Sequence, residues 1–203
     1  MGCVEDTLDL NITQGKTFTI TFRWAAEPVV YRDISTIENT APVRLTVPGH
    51  DMPDGWSFAV SGVEGMEKLN ARRNPPADTE YHEATVVDPN TVEINKINGM
   101  LLDEYQGGGA IQYMTPTDIS DMSARMEVRT RAGGDLLLQL HSDNGELVLD
   151  PANHTITLRI APEVTEGIDW RRGVYDIEVF NETDVFLLAH GQVLVHNEVT
   201  VGG

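Results

Sequence analysis

Apolar and polar residues alternate with period two over most of the chain, the pattern of strands with one buried face. In "LDLNITQGKTFTITFRW", Leu8, Leu10 and Ile12 share one face before a Gln14-Gly15 turn. Phe18, Ile20, Phe22 and Trp24 share one face after it. The pattern resumes from Ser123 in "SARMEVRT", "DLLLQLHS", "GELVLD", "HTITLRIA", "VYDIEVFN" and "VFLLAHGQVLVHNEVTV". Turn residues separate these runs: Ala132-Gly133-Gly134, Asn144-Gly145, Asp150-Pro151-Ala152-Asn153 and Asn181-Glu182-Thr183-Asp184. Short strands at such regular spacing predict a sandwich. Only "APEVTEGIDW" reads as helical, with Pro162 in its first turn and Glu163 and Glu166 near the positive end of the helix dipole. A short crossover turn is expected there.

Residues 29–115 differ. They hold most of the prolines and every lysine except Lys16, and their alternation is poorer. Short strands are predicted in "RDISTIE", "VRLTVP", "WSFAVSG", "EATVVD", "TVEINK" and "AIQYMT", with a tight turn at "VDPNT" and an exposed loop at "ARRNPPADTEY". Gly62 and Gly65 permit the sharp corners of a small, strongly bent barrel. The organisation expected is therefore nested. Residues 1–28 and 116–203 form one discontinuous β-sandwich, and 29–115 form a second domain inserted between its second and third strands. A surface loop whose ends lie close together tolerates such an insertion.

The chain has 203 residues and a net charge of −18, from 32 acidic and 14 basic residues. That balance opposes binding to nucleic acid or an anionic membrane. The short basic groups, Arg72-Arg73, Arg129 with Arg131, and Arg171-Arg172, each sit among carboxylates in the sequence. A single cysteine, Cys3, excludes an internal disulfide and a cysteine-based zinc cage, and an incidental thiol is expected. "MGCVEDTLDL" has neither a basic region nor an apolar run, so no signal peptide is expected. Asp6 stands where a myristoylation pattern wants Ser or Thr. No window approaches a membrane span, and a soluble protein made in a cytosol is expected.

"HDMPDGWSFAVSGVEGMEKLN" (50–70) combines a histidine, carboxylates and glycines in the manner of an active-site loop, yet it reads equally as a turn and a strand. His50, His82, His141, His154, His190 and His196 show no metal-ligand spacing, and turn or strand-surface positions are expected for them. Asp143, Asn144 and Glu146 bring together groups that bind calcium, but they lack the full loop pattern and suit a hairpin turn. Asp103-Glu104 and Glu163 with Glu166 have the carboxylate pairing used in glycoside hydrolysis, a coincidence expected among 32 acidic residues. Gly107-Gly108-Gly109 precedes a strand rather than a helix, so it makes no phosphate cradle. Ser123 and Ser142 sit in no nucleophile-elbow context. Trp24, Trp56 and Trp170 are expected to fill cores or a domain junction rather than to form a sugar platform. No catalytic residue, metal or cofactor is therefore assigned.

Two segments carry a resemblance. The flanks, with "LDLNITQGKTFTITFRW", "DISDMSARMEV", "DNGELVLD", "HTITLRI", "GVYDIEV" and the final "GQVLVHNEVTV", look like a module recurrent in tailed bacteriophages. It is similar to the N-terminal domain of baseplate upper proteins, an immunoglobulin-like sandwich that fixes receptor-binding proteins to the virion. The middle, "APVRLTVPGHDMPDGWSFAVSGVEGMEKLNA" with "ATVVDPNTVEINKINGMLLDEYQGGGAIQY", resembles a phage β-barrel module. That module is like the first catalytic-cysteine half-domain of ubiquitin-activating enzymes. The likeness implies shape only, because the middle has no cysteine and fold does not carry function. Together these imply an all-β, non-enzymatic virion protein of a tailed phage, assembled in the host cytoplasm. Its place would be the tail, baseplate or head–tail connection, in several copies, as an adaptor between other virion proteins and a tail fibre or spike. The alternative is a carbohydrate-binding accessory module that aids host adsorption.

Overall fold

A computed structural model describes residues 6–199; Cys3, with the rest of residues 1–5, lies outside them. The chain is all-β. It begins with β1 (Asp6–Thr7), β2 (Leu10–Thr13) and β3 (Phe18–Arg23). Next come β4 (Ala25–Asp33), β5 (Thr36–Glu38), β6 (Val43–Thr46), β7 (Ser57–Glu64), β8 (His82–Glu83), β9 (Thr85–Asp88), β10 (Thr91–Ile94) and β11 (Gly107–Pro116). It continues with β12 (Ser123–Arg129), β13 (Leu136–His141), β14 (Leu147–Asp150), β15 (Thr155–Ile160), helix α1 (Pro162–Glu166), β16 (Arg172–Phe180) and β17 (Val185–His196). Two compact units result: residues 1–24 with 117–203, and Ala25–Pro116. The division falls at 24/25 and 116/117 rather than at the expected 28/29 and 115/116. The reason is strand pairing, since β4 runs against β11 until Ala25 meets Pro116.

The discontinuous unit has two sheets over one core. One sheet runs β1-β17-β16-β12-β13, with β2 also on β17; the other runs β14-β15-β3. Strict alternation in β12, β15 and β16 sends Met126, Val128, Ile156, Leu158, Ile177 and Val179 inward, where they are fully buried. Leu10, Ile12, Phe22 and Trp24 join the same cluster, and Trp24 meets Phe186 edge to face at 5.0 Å. Each such apolar side chain contributes about 1.5–3 kcal/mol on burial. The strand predicted at Leu8–Ile12 lies at a sheet edge and is broken. Asp9 Oδ1 accepts the Gln192 amide (3.0 Å) in place of a ladder bond, so β1 and β2 are two pieces of one strand running parallel to β17. The short helix is tied down by the buried Thr165, whose hydroxyl shares its proton between the Lys16 carbonyl (2.8 Å) and the Pro162 carbonyl (3.0 Å).

The predicted Gln14-Gly15 turn is present and carries the chain between sheets, since β2 bonds to β17 while β3 bonds to β15 in the other sheet. Asn144-Gly145 does not close the expected hairpin, because it carries the chain from β13 in one sheet to β14 in the other. Ser142–Asn144 form a 3₁₀ turn that ends on left-handed Gly145 (φ 80°).

The inserted unit holds a second core between the sheets β5-β6-β10-β9 and β4-β11-β7-β8. Phe58, Val60, Leu45, Val92, Ile94, Ile111 and Trp56 fill it. The predicted strand "RDISTIE" is split at Ile34-Ser35. There the Ile34 amide donates to Gly109 (3.0 Å) and the Ser35 amide to Thr46 (2.8 Å), handing the chain from one sheet to the other. Gly107–Gly109 lie inside β11 rather than before a strand.

Candidate functional site

The segment His50–Asn70 spends its polar groups on the backbone. His50 is 1% exposed. Its Nε2 donates to the Asp88 carbonyl (2.9 Å) and its Nδ1 accepts the Met52 amide (3.1 Å), which assigns the Nε2–H tautomer from the partners. Its own carbonyl accepts the Tyr113 hydroxyl, whose pKa burial pushes up. Asp54 Oδ1 accepts the Val86 amide (2.9 Å), and Asn70 bonds both the amide and the carbonyl of Val63 (2.9 Å each). Asp51 faces Arg32 at 3.8 Å. These bonds bind a long connection to its own sheet and commit the His50 ring to backbone partners. His50 follows the turn at 48–49, where a turn or strand-surface position was expected, but it is a buried latch.

The other candidates are spread out. His82 is half-buried, with Nε2 3.3 Å from the Leu69 carbonyl and its ring 5.9 Å from Phe58; desolvation holds its pKa below the ordinary histidine value. His154 Nδ1 lies 2.8 Å from the Thr117 carbonyl, His190 Nε2 is 3.2 Å from the Thr7 hydroxyl, and His196 Nε2 is 3.1 Å from Asn11 Oδ1. His141 ends β13, where its amide donates to Glu146 Oε2 (3.2 Å); that carboxylate is turned onto the backbone beside Asp143 and Asn144. Among the described residues, no three His, Cys, Asp or Glu side chains gather as a metal site. Ser142 Oγ accepts the Ala124 amide (3.1 Å), and Ser123 opens β12. Asp103 and Glu104 are exposed beside β11, and Glu163 and Glu166 lie on the exposed side of α1. Trp24 and Trp56 are buried, the latter donating to the Met114 carbonyl (2.9 Å), and Trp170 is half-buried on the first core. None offers a fully open ring face.

Two surface features remain. On the outer face of the six-stranded sheet a depression of about 710 Å³ is lined by charged residues of β12, β16 and β17. Register places Arg125 opposite Glu178, Glu127 opposite Asp176, and Asp176 opposite His190. Arg125 pairs with Glu178 (2.5 Å) and stacks over Phe180 (5.1 Å), while Arg129 pairs with Glu127 (2.7 Å). The charges of this face are thus largely matched on the chain itself. The second feature, in the inserted unit, is a smaller depression around Lys68, Arg72 and Arg73. In the sequence Arg72-Arg73 sit among carboxylates. Nothing local in the sequence shows where the Glu80 carboxylate turns.

No protein-family model matches the chain, and no curated protein matches it. Among the described residues, no helix is long and apolar enough to cross a membrane.

Proposed function

We infer that the chain is a non-enzymatic structural component of a tailed-phage virion. It acts in the tail or head–tail junction as an adaptor that anchors a tail fibre or spike. In this reading the two-sheet unit is the immunoglobulin-like sandwich and Ala25–Pro116 the small barrel of the phage modules the sequence resembles. The segments that carry the resemblance supply β2, β3, β12 and β14–β17 in one unit, and β6, β7 and β9–β11 in the other.

One observation carries most weight. Each unit has its own closed core, yet each leaves strand edges open. β13 and β14 are edge strands with exposed Leu136 and Val148, and β9 is an edge strand with exposed Val87. Unpaired amides and carbonyls beside apolar side chains are templates for strand addition by a neighbouring subunit. The paired charges on the outer sheet face add a rigid polar surface suited to fixing register between subunits. Mass spectrometry of purified particles, followed by a reconstruction, tests this. The chain is expected in stoichiometric copies, with density at the tail or head–tail junction. Its absence from particles that contain the other structural proteins would overturn the reading.

A further inference from the structure

Positive charge in the inserted unit is segregated. Of its six basic residues, three are in ion pairs: Arg32 with Asp51 (3.8 Å), Arg44 with Glu93 (2.5 Å) and Lys96 with Glu83 (3.5 Å). The other three, Lys68, Arg72 and Arg73, are in no ion pair among the described residues, and all three line one depression of about 400 Å³.

The acid in that depression is committed elsewhere. Glu80 accepts the Ala77 amide through one oxygen and the Arg72 amide through the other, each at 2.8 Å. These two bonds, with smaller help from the charges of Arg73 and Arg72, hold its carboxyl below the ordinary range. Glu80 thereby cross-braces residues 72–77 and presents the two guanidinium groups from an ordered loop. A second depression of about 140 Å³, lined by Tyr81, Glu83, Asn95 and Lys96, shares His82 with the first. Its Lys96 is the one paired with Glu83, so the unpaired cations stand on the Lys68–Arg73 side of a Tyr81–His82 wall.

We propose that this paired depression binds an acidic carbohydrate chain. Lys68, Arg72 and Arg73 hold its carboxylate or phosphate, and the Tyr81–His82 wall contacts the adjoining sugar. Guanidinium groups match the planar, two-oxygen geometry of such acids. The space exceeds that of a single inorganic ion, and its lining is polar, which suits a hydroxylated chain. Duplex DNA fits less well, because it carries a charge about every 1.7 Å and a chain of net charge −18 would repel all but the few phosphates at the cations.

The full chain, labelled with ¹⁵N, is titrated at low salt with an oligogalacturonate, a glycerol-phosphate oligomer, a neutral oligosaccharide of equal length, poly-glutamate and duplex DNA. The expected result is saturable amide shifts confined to residues 68–82 and 94–96, from one or both acidic oligomers and not from the neutral one. The tighter of the two names the acid. R72A/R73A, which removes exposed side chains and keeps the Arg72 amide that Glu80 needs, is expected to weaken binding by more than about tenfold. R171A/R172A, the other Arg-Arg pair, serves as the control and is expected to leave binding unchanged. The proposal is overturned by no saturable shift, by equal shifts with poly-glutamate or DNA, or by equal losses in the two double variants. It does not rest on the assembly reading: particle incorporation and glycan binding are separate measurements, and either can fail alone.

Discussion

Excising Ala25–Pro116 and joining Trp24 to Thr117 through about four Gly/Ser residues tests the nested architecture. The joint is short, because the Thr117 amide already donates to the Trp24 carbonyl at 3.0 Å. Every side chain of the first core comes from residues 8–24 and 119–195, so excision removes none of them. Loop closure changes by about 0.6 kcal/mol per doubling of length, so even replacing a fully disordered connection of this length alters stability by less than about 3 kcal/mol. A domain of roughly 110 residues should then unfold in one transition with an enthalpy of about 75 kcal/mol near 60 °C. Differential scanning calorimetry measures that enthalpy, and the far-ultraviolet circular dichroism should remain that of a β-protein. A broad transition with less than half the expected enthalpy, or a random-coil spectrum, would refute the claim that the flanks form a self-sufficient sandwich.

Three other perturbations address the inserted unit. His50→Ala leaves the buried Met52 amide without its partner and removes the bond to the Asp88 carbonyl, and is expected to cost about 1–3 kcal/mol in urea unfolding. The exposed His196→Ala should change stability by under about 0.5 kcal/mol. Gly65→Ala combines a positive φ (85°) with a Cβ only 2.0 Å from the Glu104 carbonyl oxygen, whereas Gly49→Ala has a positive φ (60°) and open space. The first should prevent soluble expression or lower the melting temperature severely, and the second should cost only the left-handed conformation, about 1–2 kcal/mol. His82 has a depressed pKa in the folded state because of desolvation, so the unfolded chain takes the proton first. Stability is therefore full above pH 6.5 and falls as the pH drops below that value, and His82→Phe should flatten this slope in unfolding free energies measured across the range. An unchanged slope would contradict the assignment.

Strands were legible because burial follows every second residue in β12, β15 and β16, and side-chain alternation is the one signal that a half-buried strand must carry. Sheet membership was not. Gln14-Gly15 and Asn144-Gly145 announce that the chain turns, but a turn residue fixes local dihedral angles, not which distant edge receives the next strand. The partners that decide it, β17 for β2 and β15 for β3, lie more than a hundred residues away. β4 was hidden for a different reason. Most of its side chains are exposed, so its sequence carries no alternation although its backbone pairs along β11.

Side-chain commitment is illegible for the same reason as sheet membership. His50 looks like a catalytic histidine until Asp88, 38 positions on, is found holding its ring. Glu80 shows the converse. Counted along the chain it cancels one of the cations at Arg72-Arg73, and the inserted segment as a whole is negative. Once folded, both of its oxygens accept backbone amides, a stronger use of a carboxylate than a solvated contact with a mobile guanidinium. Formal charge adds over a sequence, whereas availability depends on which acids the backbone has already claimed. A chain of net charge −18 can therefore present a place where cations outnumber the acids free to meet them, and that place is where an anionic ligand gains most.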